Sequence, residues 1–147
     1  MEMTGSERIE APRAKVWDAL NDLDVLRQCI PGCQSLERTA PNEMAATVKF
    51  KVGIVAATFK GEVRLENIDA PNGYTIAGEG KGGVAGFAKG EADVALAEDG
   101  AATVLNYSCR AQVGGKLAQM GARLIDSTAR RLAGQFFSKF NSVVSQS

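Results

Sequence analysis

Cys29 and Cys33 stand on either side of Ile30-Pro31-Gly32, and this Cys-x3-Cys pair is the first spacing to weigh for chemistry. Two thiols so placed suit a redox switch or half of a metal site. The third cysteine, Cys109, lies far away, and three thiols alone make a poor zinc site. The chain of 147 residues contains no histidine. That absence removes Ser-His-Asp and Cys-His catalysis, and with them the usual proton shuttle near neutral pH. An odd cysteine count without a secretion signal also argues against a disulfide framework. The cysteines therefore read as small buried apolar residues, and no catalytic or metal-ligating residue is assigned.

Two other patterns invite chemistry and fail on context. Gly78 to Gly90 holds six glycines with Lys81 and Lys89. A phosphate-binding loop needs Gly-x4-Gly-Lys followed by Ser or Thr, leading from a strand into a helix. Here the segment joins two strands, so its glycines read as a flexible loop or bulged hairpin that gates a pocket. Glu62, Glu66, Glu91 and Asp93 supply carboxylates, but each falls on the wet face of a strand. A general acid there lacks the burial that raises its pKa.

The elements that would position a site follow from periodicity. Thr4 to Glu10 reads as a first strand, and Ala11-Pro12 opens a helix with Val16, Trp17 and Leu20 on one face. A second short helix covers about 22–29 and ends at Ile30-Pro31-Gly32. From Gln34 to Val113 the period becomes two. Val48, Phe50 and Val52 alternate with lysines, and Leu105, Tyr107, Cys109, Ala111 and Val113 alternate with polar residues. That is an antiparallel sheet covered on one face. Turns at Ala40-Pro41-Asn42, Pro71-Asn72-Gly73 and Asp99-Gly100 help divide it into six strands. A helix is then predicted from Lys116 to Val144, roughly 43 Å long.

That helix is amphipathic. Its apolar face carries small residues first (Ala118, Gly121, Ala122, Thr128) and large ones later (Leu132, Phe136, Phe140, Val143). Small side chains leave space under a helix and large ones fill it. A pocket is thus expected under the first half and a sealed core under the second. Ile30, Phe50, Phe59, Phe87, Tyr107, Leu117, Met120, Gly121, Leu124 and Thr128 are the candidate ligand contacts. A mostly apolar pocket with a few hydroxyls suits a lipid-like, isoprenoid or aromatic molecule.

The 17 basic and 17 acidic residues cancel, so no overall field points to nucleic acid. The closing helix is different: five basic side chains against Asp126 leave it at +4 and the rest of the chain at −4. Its polar face reads either as solvated or as a docking stripe for an acidic protein or anionic lipid. The candidate partner contacts are Lys116, Arg123 and Arg130, with Phe137 expected beside them on the polar side. Met1 to Gly5 lacks the marks of a secretion signal, and no apolar run approaches about 20 residues. The expectation is one cytoplasmic domain spanning residues 1–147.

The order strand, two helices, six strands and long helix resembles the α+β helix-grip fold of START-like ligand carriers. In that fold a curved seven-stranded antiparallel sheet wraps around the C-terminal helix. Three segments resemble the carbon monoxide dehydrogenase G-subunit family more closely. They are Pro12 to Leu20 with Leu26 to Cys33, Phe59-Lys60-Gly61 with the glycine-rich segment, and Gly114-Gly115-Lys116-Leu117-Ala118 continuing to Ile125. The resemblance implies a non-catalytic accessory of a molybdenum-containing CO dehydrogenase or related hydroxylase. It further implies a role in assembly or recruitment at the cytoplasmic membrane, and a hydrophobic ligand such as a quinone or lipid. Some members carry a hydrophobic C-terminal extension, whereas this chain ends at Ser145-Gln146-Ser147. Peripheral membrane contact is therefore expected through the basic helix face or a partner. Two rival readings stay open. One is a cyclase- or hydratase-type enzyme using Tyr107, Thr128 or a carboxylate, and the other is an assembly factor without a ligand.

Overall fold

A computed structural model describes residues 1–146. The first strand, β1 (Glu2–Ile9), leads into two short helices, α1 (Arg13–Leu20) and α2 (Leu23–Cys29). Pro12 caps α1 in an extended conformation, one residue earlier than its expected place inside the helix. Asp22 caps α2, its carboxylate accepting from the backbone N–H of Asp24 and Val25. Six strands follow: β2 (Cys33–Ala40), β3 (Glu43–Val52), β4 (Val55–Asp69), β5 (Gly73–Lys81), β6 (Phe87–Asp99) and β7 (Ala102–Gly114). The last helix, α3, spans Ala122–Ser145.

The seven strands form one antiparallel sheet in the order β1-β7-β6-β5-β4-β3-β2. Every neighbour from β2 to β7 is the next strand in sequence, so tight turns build most of the sheet. β1 pairs along β7 from Glu2↔Arg110 to Ile9↔Thr103 and completes one edge.

The expected helix start at Lys116 is corrected. Gly115–Met120 forms a 3₁₀ stretch, and Gly121 at φ +91° and ψ 149° breaks it from α3. That backbone region is essentially open to glycine alone. Lys-Leu-Ala-Gln-Met has good helical periodicity, but Gly121 interrupts it with a turn in the chain.

Two apolar clusters fill the space between the sheet and α3. The larger gathers Ile9, Val16, Leu20, Tyr74, Leu105, Phe140 and Val144, with Trp17 against Tyr74 at 5.1 Å between ring centroids. This is the sealed core under the helix's C-terminal half. The second holds Val52, Phe59, Ala85 and Leu117, with Met120, Leu124 and Ile125 packed on it. It caps the opposite end, where the open pocket was expected.

The Ile-Pro-Gly turn follows from a close approach. The Lys49 N–H donates to the Gly32 carbonyl at 2.9 Å, which clips the end of α2 to β3. Gly32 sits at φ +72°, and a Cβ there would overlap the Lys49 carbonyl oxygen. Only glycine fits both requirements.

Candidate ligand-binding cavity

Between the two clusters the inner face of the sheet is floored by glycine and alanine. Ala46 pairs with Gly61, Gly61 with Gly80, and Gly80 with Ala88. The next row runs Val63, Gly78, Gly90 and Ala111. These rows lie side by side on one face of strands about 4.8 Å apart. Of the flexible loop and the bulged hairpin expected for Gly78 to Gly90, the structure forms a hairpin, the paired ends of β5 and β6 in unbroken register, joined through a short 3₁₀ turn at Gly83–Ala85. The small residues that make room are on the sheet. The expectation that they lay on the helix was wrong because Ala118 and Ala122 are exposed.

Two adjoining hollows result. One, of about 420 Å³, lies between α3 and the wider side chains of the sheet, walled by Leu26, Tyr74, Ile76, Val94, Tyr107 and Phe136 among others. The other, of about 490 Å³, lies over the glycine floor and reaches Phe50, Phe59, Pro31 and Leu132. Ile30, Ala46, Val48, Val63, Ile76, Ala92 and Cys109 border both. Each falls in the size range of small-molecule pockets. Many of these inward apolar side chains are only partly buried, Val48, Val63, Ile76 and Val94 among them. Apolar surface facing an open interior is what an apolar ligand would cover.

The polar groups of the smaller hollow are few and neutral. Tyr74 hydroxyl donates to the Leu20 carbonyl at 3.5 Å, and burial pushes its pKa well above the ordinary phenol range. Tyr107 lies over Gly5 on its cross-strand neighbour and stacks on Phe137 at 5.4 Å. Burial first, then the nearby Glu7 charge, raises its pKa. Burial likewise raises the Cys109 thiol. These groups stay protonated near neutral pH, so the hollow presents hydroxyls and a thiol without charge.

Tyr74 makes a measurable prediction. The unfolded chain releases its proton near pH 10, whereas the folded chain holds it to higher pH. Its contribution to stability is therefore whole below about pH 10 and declines as pH rises through and beyond that value, by at most about 1.4 kcal/mol per unit. Urea unfolding at pH 8 and about pH 11 should show a smaller alkaline loss in Tyr74→Phe than in wild type. Equal losses in the two proteins would remove Tyr74 from the account.

The expected contacts divide into groups. Ile30, Phe50, Phe59 and Tyr107 line the hollows, with Phe50 and Phe59 stacked at 4.8 Å. Leu117, Met120 and Leu124 belong to the capping cluster instead. Gly121 is exposed with no atom near its absent Cβ, so a leucine there strains the backbone without entering the hollow. Thr128 is buried on α3 but is in neither wall. Phe87 is largely exposed and covers Gly114, its cross-strand partner.

The expected partner contacts divide as well. Lys116 and Arg123 are exposed, and Arg130 is exposed but paired with Asp126 at 3.0 Å. Phe137 is corrected: it points inward, against Tyr107 and edge-on to Phe136 at 5.1 Å. Its helical angle lies near the margin of the apolar face, and the curved sheet reaches around to it.

Val63, Ile76, Gly78, Gly90, Ala92, Cys109, Leu132 and Ala133 were missed. A signal existed, since Gly78, Gly80, Ala88, Gly90 and Ala92 alternate with charged residues at period two. The carboxylates lie where expected. Glu91 and Asp93 are on the outer face, bridged by Arg110 at 2.8 and 3.2 Å. The Thr75 hydroxyl, then Arg110, holds Asp93 below the usual carboxylate range. Cys29 and Cys33 are free, and burial raises both thiols. Among the described residues no three His, Cys, Asp or Glu side chains converge on a metal position, and no helix is long and apolar enough to cross a membrane.

A seven-stranded sheet gripping a C-terminal helix over an apolar hollow defines a START-like helix-grip protein. The structure of a START superfamily protein from Mycobacterium smegmatis superposes with TM-score 0.68 at 14% identity, covering 97% of this chain and 98% of that one. The Zhui aromatase/cyclase from Streptomyces sp. R1128 gives 0.72 at 13% identity, covering 99% and 94%. Likeness at that identity shows the fold alone. The chain belongs to the carbon monoxide dehydrogenase G-subunit (CoxG) family, whose sequence profile matches residues 5–145. A conserved protein from Geobacillus kaustophilus is similar at 28% identity and TM-score 0.94, covering 99% of this chain and 96% of that one. No curated protein sequence matches significantly.

Proposed function

We propose that the protein is a non-catalytic carrier. It holds a neutral, apolar, quinone- or lipid-like molecule between α3 and the glycine floor, and serves a molybdenum-containing CO dehydrogenase or related hydroxylase through assembly or recruitment to the membrane. The observation that carries the ligand half is the pair of adjoining hollows walled by aliphatic and aromatic side chains. Filling them returns the apolar surface there to a dry environment, at roughly 25 cal/mol per Å². Family membership supports the enzyme partnership. Against the cyclase-type reading, Thr128 is outside both walls, the strand carboxylates point outward, and burial keeps both tyrosines protonated.

Organic extraction of the natively purified protein, followed by mass spectrometry, tests the ligand half. An apolar compound in near-equal amount to protein is the expected result. An empty extract, together with no uptake of a hydrophobic fluorophore, would leave only the assembly reading. Co-elution with a purified molybdenum hydroxylase on size exclusion tests the partnership separately.

A further inference from the structure

The charges of this neutral chain are sorted in space. Residues 44–61, 80–90 and 111–125 contain seven lysines and arginines and no aspartate or glutamate. The other residues carry ten basic against 17 acidic side chains. These three segments meet at one end of the fold. Val52, Ala85 and Leu117 share the capping cluster, Gly53 lies against Met120 and Leu124, and Gly86 lies against Gly114 and Gly115. None of the seven cations makes an ion pair among the described residues.

Two aliphatic side chains stand out from this acid-free end. Ile54, at the tip of the β3–β4 turn, is 94% exposed, and Val84, in the β5–β6 turn, is 91% exposed. Both are on turns whose sequence spares no polar residue for the tip: Lys51-Val52-Gly53-Ile54 and Lys81-Gly82-Gly83-Val84. Each tip is three residues beyond a lysine, and Lys116 lies on the adjoining 3₁₀ stretch.

We infer that this end is a docking surface for an anionic lipid bilayer, with Ile54 and Val84 entering the headgroup boundary and the lysines engaging phosphate. Cations outside every ion pair among the described residues, with Lys51 close to the tips in sequence and Lys116 in the fold, complement a negative membrane surface. Lysine stems can lie along apolar surface while their ammonium groups reach outward. A protein interface would more often centre on aromatic residues and arginine. The two most exposed large apolar side chains here, Ile54 and Val84, are aliphatic, whereas Phe87 is only 44% exposed and packs over Gly114. The inference rests on the recruitment half of the proposed function and not on the ligand. It brings the Phe50–Phe59 stack, shared by the capping cluster and the larger hollow, to the membrane side of the molecule.

Sedimentation with vesicles tests it. The purified protein should pellet with phosphatidylcholine vesicles containing phosphatidylglycerol and stay soluble with phosphatidylcholine alone. Raising salt from about 0.05 M to about 0.5 M should release it. The double variant Ile54→Asp, Val84→Asp should lose roughly tenfold or more in partitioning. It should keep its circular dichroism, its melting temperature and its extractable ligand, because both side chains are in solvent. Lys51→Glu with Lys116→Glu should lose binding too. If wild type and both variants pellet alike, the surface is wrong while recruitment stands. If wild type fails to pellet, the docking surface falls, and recruitment stands only through a partner. Binding to an acidic protein in place of vesicles, abolished by the double variant, would overturn the lipid assignment.

Discussion

Ala92→Phe should abolish ligand loading while leaving a folded protein. Ala92 borders both hollows, between Ile76 and Cys109 on the neighbouring strands. A phenyl ring there projects into space that the ligand would occupy, and phenylalanine suits a strand. Gly78→Leu is the companion variant. A Cβ at Gly78 meets only ordinary contacts, the Glu62 carbonyl at 3.6 Å and Val63 at 3.8 Å, so the backbone tolerates it. Each variant should weaken uptake of a hydrophobic fluorophore by at least about tenfold, or about 1.4 kcal/mol. Thermal stability should hold or rise, since the added carbon packs in an open interior. Full uptake by both variants would place the ligand elsewhere.

Gly32→Ala should destabilise the fold far more than the same change at Gly100, although both glycines have a similar positive φ. Both have positive φ, +72° at Gly32 and +63° at Gly100. At Gly100 nothing lies within 4 Å of an added Cβ, so alanine there should cost only the left-handed conformation, about 1 kcal/mol. At Gly32 the same methyl overlaps the Lys49 carbonyl oxygen, which is backbone and cannot swing away. The turn must separate from β3 and give up the Lys49–Gly32 hydrogen bond. A total loss on the order of 4 kcal/mol is expected, a large share of the roughly 5–15 kcal/mol that holds a domain together. Urea midpoints of the two variants check this. Similar losses at both positions would mean that the clip to β3 contributes little.

Much of the architecture is legible in the sequence, because alternating residues such as Val48, Phe50 and Val52 can bury one face only as a strand. The turn residues at Pro41, Asn72 and Gly100 place their hairpins for the same local reason. The cavity is less legible. Ile30, Phe50, Phe59 and Tyr107 face it because their strand parity or turn position is a local property. Its floor is a product of register: Gly78 matters because Gly90 and Val63 are its neighbours, and pairing across strands is not written in any one segment. Glycine inside a strand also looks like a loop until its partner is known. The helix residues failed for a different reason. Periodicity assigns Leu117 and Gly121 to one face, but a single positive φ at Gly121 re-aims everything before it. Phe137 failed because a curved sheet covers more of a helix than a flat one would.

The glycine floor has a consequence for inheritance. Capacity here is set by side chains kept to a hydrogen or a methyl, on strands whose outward residues alternate independently with them. A chain of this kind could trade one cargo for a narrower or shorter one by single-carbon steps at Gly78, Gly80 or Ala92. Its pleat, its outer charges and the turns that carry Ile54 and Val84 need not change along the way. The width of the hollow and the chemistry of that end are separately mutable.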